Sequence, residues 1–164
     1  MKISKKIEAV INTQITAELW SSNLYLSMAF FMEKEGYQGF SKWLKEQSYE
    51  EKAHAESFAN YLVTRGGTAV IDQINVVPQG WGTVLELFEH VYEHECHVSE
   101  MINKIMDEAV AEKDYATQDF IMTFVREQVE EEATAEDLVQ RLKQAGTQNL
   151  LFLDKYMQDI HKRG

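Results

Sequence analysis

Several residue types are scarce in this chain of 164 residues, which has one cysteine, one proline and eight glycines. A single cysteine excludes an intramolecular disulfide framework and suits a reducing compartment. No apolar run approaches the roughly 20 residues that cross a bilayer. The amino-terminal segment MKISKKIEAVINTQI lacks the continuous apolar core and the cleavage site of a signal peptide. The sequence therefore predicts a cytoplasmic protein with no membrane partner.

Basic charge is also in short supply. The 16 lysines and arginines face 27 aspartates and glutamates, so the formal net charge is −11. A nucleic-acid-binding domain needs a basic face for the phosphates, and this composition argues against nucleic acid as a partner. Because domains typically hold roughly 100–200 residues, we expect residues 1–164 to form a single domain. The functional question is then where the carboxylates lie.

The few helix breakers divide the chain into five helical segments. They fall at residues 36–39, at residues 66–82 and at Gly146. Between them, apolar residues recur with helical spacing. The predicted helices are A (5–33), B (37–65), C (83–111), D (115–145) and a short helix E (148–161). Asp114 is a predicted N-cap and Gly146 a predicted C-terminal stop.

The lengths of the connections predict how the helices are arranged. Helices A and B are joined by a few residues, as are C and D, so each pair should form an antiparallel hairpin. The B–C connection, residues 66–80, reaches about 50 Å when extended, and a helix of this length spans about 43 Å. The pattern predicts an all-α four-helix bundle with one long B–C crossover and a short C-terminal fifth helix. The stretch AVIDQINVV in the crossover also fits a strand, although it has no obvious partner.

Each long helix has an inward stripe that is apolar except near its middle. On helix D, this stripe is predicted as Phe120, Phe124, Glu127, Glu131, Thr134 and Leu138. In the predicted topology, the middles of all four helices lie at one level. The polar stripe members should therefore converge; they are Glu18, Glu51, His54, Glu95, Glu127 and Glu131.

Five carboxylates at one level of a core require compensation. Burying ionised groups is costly, and like charges repel strongly in a low dielectric. The sequence places no lysine or arginine at these central positions. A bound multivalent cation is therefore the simplest way to compensate their negative charge. Glu51 and His54 form the one ExxH pattern of the chain, whose two side chains share a helix face and can reach one ion. Hard oxygens with one imidazole suit iron or manganese and, less specifically, zinc.

Two alternatives remain open from the residues alone. The first is a structural bundle whose buried carboxylates are protonated and bind no metal. The second is a di-metal carboxylate enzyme that retains its metal and acts on an organic substrate. A metal titration would separate the first of these from a metal-binding protein.

At these residues the chain resembles the ferritin superfamily, and specifically the bacterial non-haem ferritins. The resemblance rests on AELWSSNLYLSM in helix A, EExxH in helix B, a glutamate in helix C, EQVEEE in helix D and the terminal helix E. It implies a ferritin-like bundle that oxidises Fe²⁺ with dioxygen or hydrogen peroxide and stores ferric oxyhydroxide in a hollow shell.

The resemblance also implies roles for individual residues. One iron site would use Glu18, Glu51 and His54, and a second would share Glu51 and add Glu95 and Glu131. The third site, typical of the bacterial non-haem branch, would use Glu50, Glu127 and Glu130. Gln128 would support these ligands by hydrogen bonding, and Tyr25 would lie beside the centre as an aromatic that can donate an electron.

Two departures from related branches indicate that haem is absent. Bacterioferritins carry a second ExxH on helix D, where this chain has Glu127-Gln128-Val129-Glu130. They also place a haem-binding methionine between the glutamate and the histidine of helix B, where this chain has Lys52. The miniferritins lack helix E and build their metal site between subunits, which disfavours that branch.

Helix E is the predicted contact between subunits. Its apolar residues Leu150, Leu151, Leu153 and Met157 are too many for a short helix lying alone on a surface. The resemblance implies a homo-oligomer, a cage of twenty-four subunits with helix E at the four-fold channel. His90, His94 and His97 share one face of helix C and leave a surface metal site open as a minor possibility.

Overall fold

The computed structural model describes residues 2–159 and is helical throughout its regular structure. The five α-helices are α1 (Lys5–Lys34), α2 (Gln38–Thr64), α3 (Val84–Ala111), α4 (Tyr115–Ala145) and α5 (Leu150–Asp159), with a 3₁₀ turn (Thr147–Asn149) before the last. Within residues 2–159 there is no strand, so the strand interpretation of the crossover is wrong. The predicted end of helix E at residue 161 lies outside the described residues.

Side-chain caps account for where the long helices begin. The Ser4 side chain accepts a hydrogen bond from the amide of Ile7, and Asp114 accepts one from Thr117, as predicted for an N-cap. Thr83 and Glu86 form a reciprocal capping box at the start of α3. These caps satisfy amide groups that the first helical turn leaves without partners.

Contacts between helix ends fix the directions of the four long helices. The amide of Ile3 donates to the carbonyl of Arg65 at 3.0 Å, which places the start of α1 beside the end of α2. Lys6 pairs with Glu108 at 2.7 Å, so α1 also runs antiparallel to α3. Arg65 pairs with Asp114 at 2.9 Å, joining the end of α2 to the start of α4. Helices α2 and α3 are therefore parallel, which confirms the long crossover.

A polar layer separates two apolar clusters in the bundle. One cluster lies toward α5 and includes Met28, Phe40 and Phe88, and the other includes Ile11 and Phe58 at the opposite end. Between them lie buried polar side chains, which are Gln14, Glu18, Gln47, Glu51, Glu95 and Gln128. The four helices thus contribute polar residues at one level, as the stripes predict.

The inward stripe of α4 differs from the prediction by about one residue. Thr134 was predicted to face inward but is exposed, and Ala135 is buried instead. Gln128 is buried whereas Glu127 is half-buried. A helix of this length drifts relative to a simple 3,4 repeat. The stripe therefore passes through Gln128, and Glu127 lies at its edge.

Helix α5 docks on the start of α2 through a close backbone approach. The Asp154 carboxylate accepts a hydrogen bond from the amide of Phe40 at 2.9 Å, and Gly39 has no Cβ to collide with the carbonyl of Asp154. Of the four residues predicted as a subunit contact, Met157 is instead buried within the chain. Leu151 is exposed by 71%, and Phe152, which the prediction missed, by 77%.

None of the helices within residues 2–159 has both the length and the apolar character needed to cross a membrane.

Candidate metal centre

Helices α1 and α2 build the buried half of the site. Glu18 comes from α1, and Glu51 and His54 come from successive turns of α2. Each offers a ligand atom, and the three atoms lie within 4.8 Å of one another. Nδ1 of His54 is 3.0 Å from Oε2 of Glu51 and 3.7 Å from Oε2 of Glu18. Two carboxylates and an imidazole converging at these distances can hold one divalent cation.

The two carboxylate oxygens of Glu18 differ in their hydrogen bonding. Nε2 of Gln14, one helical turn earlier, donates to Oε1 of Glu18 at 2.7 Å. The other oxygen, Oε2, is buried, and no donor among residues 2–159 is within hydrogen-bond distance of it. A buried carboxylate oxygen without a donor is expensive unless a cation binds it. Sequence reasoning missed Gln14, although its i,i+4 spacing from Glu18 was a usable signal.

The protonation of this group follows from its burial. Burial and repulsion from Glu18 raise the pKa of Glu51 well above its usual value. Burial also opposes ionisation of Glu18, but the neighbouring His54 and Glu51 side chains lower the pKa of Glu18. Burial lowers the pKa of His54, yet the neighbouring carboxyl groups of Glu127, Glu18 and Glu51 outweigh it and raise that pKa to about 12. Glu51 and His54 therefore hold protons in the metal-free protein, and a bound cation would displace these protons.

Helices α1, α3 and α4 meet at Glu95. The hydroxyl of Tyr25 donates a short hydrogen bond to Oε1 of Glu95. Nε2 of Gln128 lies 3.1 Å from Oε2 of the same carboxylate. Burial and the charge of Glu95 raise the pKa of Tyr25 well above its usual value, so the phenol stays protonated. Both residues therefore orient Glu95. The predicted roles at an iron centre, hydrogen-bonding support by Gln128 and electron donation by Tyr25, stay predictions.

Glu131 completes this level of the bundle from α4. Burial raises its pKa to about 8, with further contributions from the negative charges of Glu95, Glu127 and Glu130. Burial likewise raises the pKa of Glu95. The mutual repulsion of these carboxyl groups means that a bound cation would be favoured over several negative charges. The role of Glu131 as a metal ligand stays a prediction.

A second group of possible ligands opens toward the surface between α2 and α4. Its members are Glu50, His54 and Glu127, whose ligand atoms also lie within 4.8 Å of one another. Nε2 of His54 is 3.1 Å from Oε1 of Glu127. The predicted third site contained Glu130 rather than His54. Glu130 is exposed, and neither ligand group within residues 2–159 includes it.

Side-chain exposure falls steadily from the outer to the inner group. The exposed fraction is 31% for Glu127, 14% for His54, 7% for Glu51 and 2% for Glu18. The His54 ring lies between the two groups, with one nitrogen directed toward each. The arrangement is therefore a graded series of ligands that runs from solvent into the core.

The three histidines of α3 do not gather into a site. His90 packs against Trp81 with ring centroids 5.4 Å apart, and His97 lies 3.8 Å from Glu100. His94 turns inward, where its Nε2 contacts Oγ of Ser21 at 2.9 Å. Burial lowers the pKa of His94 to about 4. Neither ligand group in the described part of the chain contains any of these histidines.

Comparison with known proteins places this geometry in a family. The family model for the ferritin-like domain matches residues 8–145. The chain is 57% identical over 155 residues to a bacterial non-heme ferritin of Bacteroides fragilis, covering 94% of this chain and 98% of the relative. A bacterial non-heme ferritin of Campylobacter jejuni is 32% identical over 160 residues, or 96% of each chain.

A solved structure agrees with the whole fold. An open-pore ferritin of the hyperthermophilic archaeon Archaeoglobus fulgidus superposes with a TM-score of 0.94 at 42% identity, covering 97% of this chain and 98% of that one. The long crossover, the fifth helix and the bacterial non-haem resemblance are thus confirmed together. The chain belongs to the ferritin family.

Proposed function

We propose that this protein stores iron and is itself the ferroxidase that oxidises it. Fe²⁺ is the substrate, dioxygen or hydrogen peroxide is the oxidant, and ferric oxyhydroxide is the product. The observation that carries the proposal is the buried Glu18–Glu51–His54 group with its open Glu18 oxygen. Membership in the ferritin family supports iron as the metal.

The donor set favours loss of an electron from bound Fe²⁺. Anionic carboxylates attract a triply charged ion more strongly than a doubly charged one, so they lower the reduction potential. Glu51 would bridge two ions, one held by Glu18 and His54 and the other by Glu95 and Glu131. Two ions held side by side can together supply two electrons to one oxidant molecule.

The same residues allow the product to leave. One imidazole and several carboxylates form a site without a fixed set of strong neutral donors. The carboxyl groups take up protons again when an ion departs, because burial raises the pKa values of Glu51, Glu95 and Glu131. Iron is therefore substrate and cargo at this site, and no haem is proposed.

Storage requires an enclosing assembly, and we propose a homo-oligomeric shell of twenty-four subunits in the cytoplasm. The isolated chain exposes several large apolar side chains. They include Ile71 and Val76 in the crossover and Leu151 and Phe152 in α5, each at least 69% exposed. Contiguous exposed apolar residues mark interaction surfaces. A net charge of −11 per chain would draw cations toward such a shell.

The test is aerobic addition of Fe²⁺ followed by sizing of the products. We expect rapid oxidation and a soluble brown mineral that co-elutes with a large shell. Glu18→Gln or His54→Ala should slow the initial oxidation by about 100-fold while the helical content is retained. Glu56→Gln is the matched control, because Glu56 is an exposed glutamate of the same helix as His54.

The result would decide between the proposal and the alternatives. Unchanged rapid oxidation in Glu18→Gln and His54→Ala would contradict the ferroxidase centre. Precipitation of mineral outside the protein, or elution as a small oligomer, would contradict storage in a shell. Tight retention of two metal ions through dialysis would favour a di-metal enzyme with a resident cofactor.

A further inference from the structure

A cleft of about 660 Å³ lies on the α1–α3 side of the bundle, opposite the Glu50–His54–Glu127 group. The crossover contributes Val70 to its rim. Along α1 the cleft is lined by Ala9, Thr13 and Ala17, one helical turn apart. Asp72 is the single carboxylate among the described lining residues, which include no lysine or arginine. Most of the wall is thus apolar, hydroxyl or amide.

The floor of the cleft is one side chain away from the metal centre. Ser21 and His94 line it, and Nε2 of His94 lies 2.9 Å from Oγ of Ser21. The Ser21 hydroxyl donates to the carbonyl of Ala17 at 2.9 Å, so its oxygen accepts from His94. Behind His94 lies the ring of Tyr25, 5.9 Å away between centroids, which bonds Glu95.

The two sides of the metal centre therefore differ in charge. On the α2–α4 side, Glu50 and Glu127 offer oxygen ligands to a cation. On the α1–α3 side, a cation in the cleft would lose water without gaining comparable ligands, which is unfavourable. A small uncharged molecule has no such cost and partitions readily into an apolar cleft.

We propose that this cleft delivers dioxygen to the metal centre and that the Ser21–His94 pair is the gate at its floor. The proposal rests on the proposed function, because it assigns an access route to the oxidant of that reaction. Fe²⁺ and dioxygen would then reach the centre from opposite sides. The two substrates would not compete for one path.

The gate is held by few contacts and can open without disturbing the ligands. One hydrogen bond joins His94 to Ser21, and Trp20 packs against the His94 ring with centroids 5.7 Å apart. Rotation of the imidazole breaks one hydrogen bond and leaves the Tyr25–Glu95 bond in place.

Ala17→Phe tests the route, because the added ring would fill the cleft directly above the gate. Stopped-flow oxidation at varied dioxygen should show the apparent KM for dioxygen raised about tenfold, with the rate at saturating dioxygen retained. Ala116→Phe is the matched control, since it adds the same ring at an exposed position of α4 that does not line the cleft, and its KM for dioxygen should change less than about twofold. Anaerobic Fe²⁺ binding should be the same in both variants.

An unchanged KM for dioxygen in folded Ala17→Phe would overturn the route. Thr13→Phe supplies a second block from an exposed position if Ala17→Phe fails to fold. Crystals of the metal-free protein under xenon pressure give a readout independent of iron oxidation. We expect xenon in the cleft of the unsubstituted protein and its loss in Ala17→Phe; no xenon in the unsubstituted cleft contradicts the route. A protein that binds xenon there but does not oxidise Fe²⁺ would refute the proposed function alone.

Discussion

Nε2 of His54 lies 3.1 Å from Oε1 of Glu127, while Nδ1 of the same ring lies 3.0 Å from Oε2 of Glu51. One imidazole thus contacts a carboxylate of the outer ligand group and a carboxylate of the inner one. The outer group therefore depends on a residue of the inner group. A substitution at His54 should affect both, whereas a substitution at Glu127 should affect the outer group alone.

Glu127→Gln tests this dependence. The amide retains the shape of the side chain but removes the negative charge that faces Nε2 of His54. Calorimetric titration of the metal-free protein with Zn²⁺ should show the weaker binding event reduced about 10- to 100-fold, and the tighter event should persist. His54→Ala should weaken both events.

Glu130→Gln is the control for the outer group. Glu130 is exposed on the same helix and lies outside both ligand groups of the described residues. We expect its Zn²⁺ titration to match that of the unsubstituted protein. Equal losses in Glu127→Gln and Glu130→Gln would instead support a third site of Glu50, Glu127 and Glu130, as the resemblance implies.

The metal-free protein should lose stability as the pH rises from about 6.5 to 8. Glu131 has a pKa of about 8 in the folded protein against 4.5 as a free side chain. His54 has a pKa of about 12 against 6.5. In this interval the folded protein holds protons that the unfolded chain has released, so each group lowers the free energy of unfolding by at most about 1.4 kcal/mol per pH unit. Thermal unfolding at pH 6 and pH 8 measures the difference.

Glu131→Gln should reduce this slope, because the amide does not titrate. The groups whose interactions shift Glu131 are Glu95, Glu127, Glu130 and His54. Adding Zn²⁺ should reverse the trend, since the ion replaces the bound protons and binds better at pH 8. A metal-free protein that is more stable at pH 8 than at pH 6 would show that these carboxyl groups ionise freely.

The sequence was enough to predict the height along the bundle at which the site lies. It was also enough to predict which buried carboxylates belong to the site. Glu18, Glu51 and Glu95 interrupt apolar stripes, and all three are buried, as their inward stripe positions predict. Helical spacing carries this information, because residues three and four apart share a face. The lengths of the connections gave the topology for a similar reason, since a short loop cannot join parallel helices.

Contacts at the edge of the stripes were not predictable. Whether Glu127 or Gln128 faces inward depends on a rotation of α4 of less than one residue, and the packing of neighbouring helices decides that rotation. The ring of His54 reaches Glu127 through its side-chain rotamer, which spacing does not specify. The Ser21–His94 contact joins two helices whose relative offset no sequence pattern records.

Gly39→Ala should release α5 from the bundle. A Cβ at this position would lie 1.7 Å from the carbonyl oxygen of Asp154, and the obstacle is backbone. If α5 could no longer lie this close to α2, the hydrogen bond from the Phe40 amide to Asp154 would also be lost. Because α5 presents Leu151 and Phe152 to solvent, we expect native mass spectrometry to show smaller assemblies.

Gln38→Ala controls for a change at the start of α2. Gln38 is the exposed neighbour of Gly39, and its substitution should leave the assembly size unchanged. Circular dichroism should show that the four long helices persist in Gly39→Ala, because α5 contributes 10 residues to the described helices. Full-sized assemblies in Gly39→Ala would mean that α5 does not take part in the subunit contact.

Asp114→Ala should be the most destabilising of the substitutions considered, because Asp114 has two structural tasks. Its carboxylate pairs with both terminal nitrogens of Arg65, at 2.9 and 3.2 Å, and accepts the amide of Thr117 at 3.0 Å. Although burial opposes its ionisation, Arg65 and the Thr117 amide lower the pKa of Asp114. Removing the carboxylate would remove the Arg65–Asp114 ion pair and the N-cap of α4. We expect a loss of about 3 kcal/mol, measured by urea unfolding.

Asp114→Asn separates the two tasks. The amide oxygen can still cap Thr117, but the charge that faces Arg65 is gone, so the loss should lie between those of Asp114→Ala and the unsubstituted protein. Asp119→Ala removes an exposed aspartate from the same helix and should change the unfolding midpoint little. If Asp114→Asn were as stable as the unsubstituted protein, the cap alone would account for Asp114. The contact between the end of α2 and the start of α4 would then owe nothing to the ion pair.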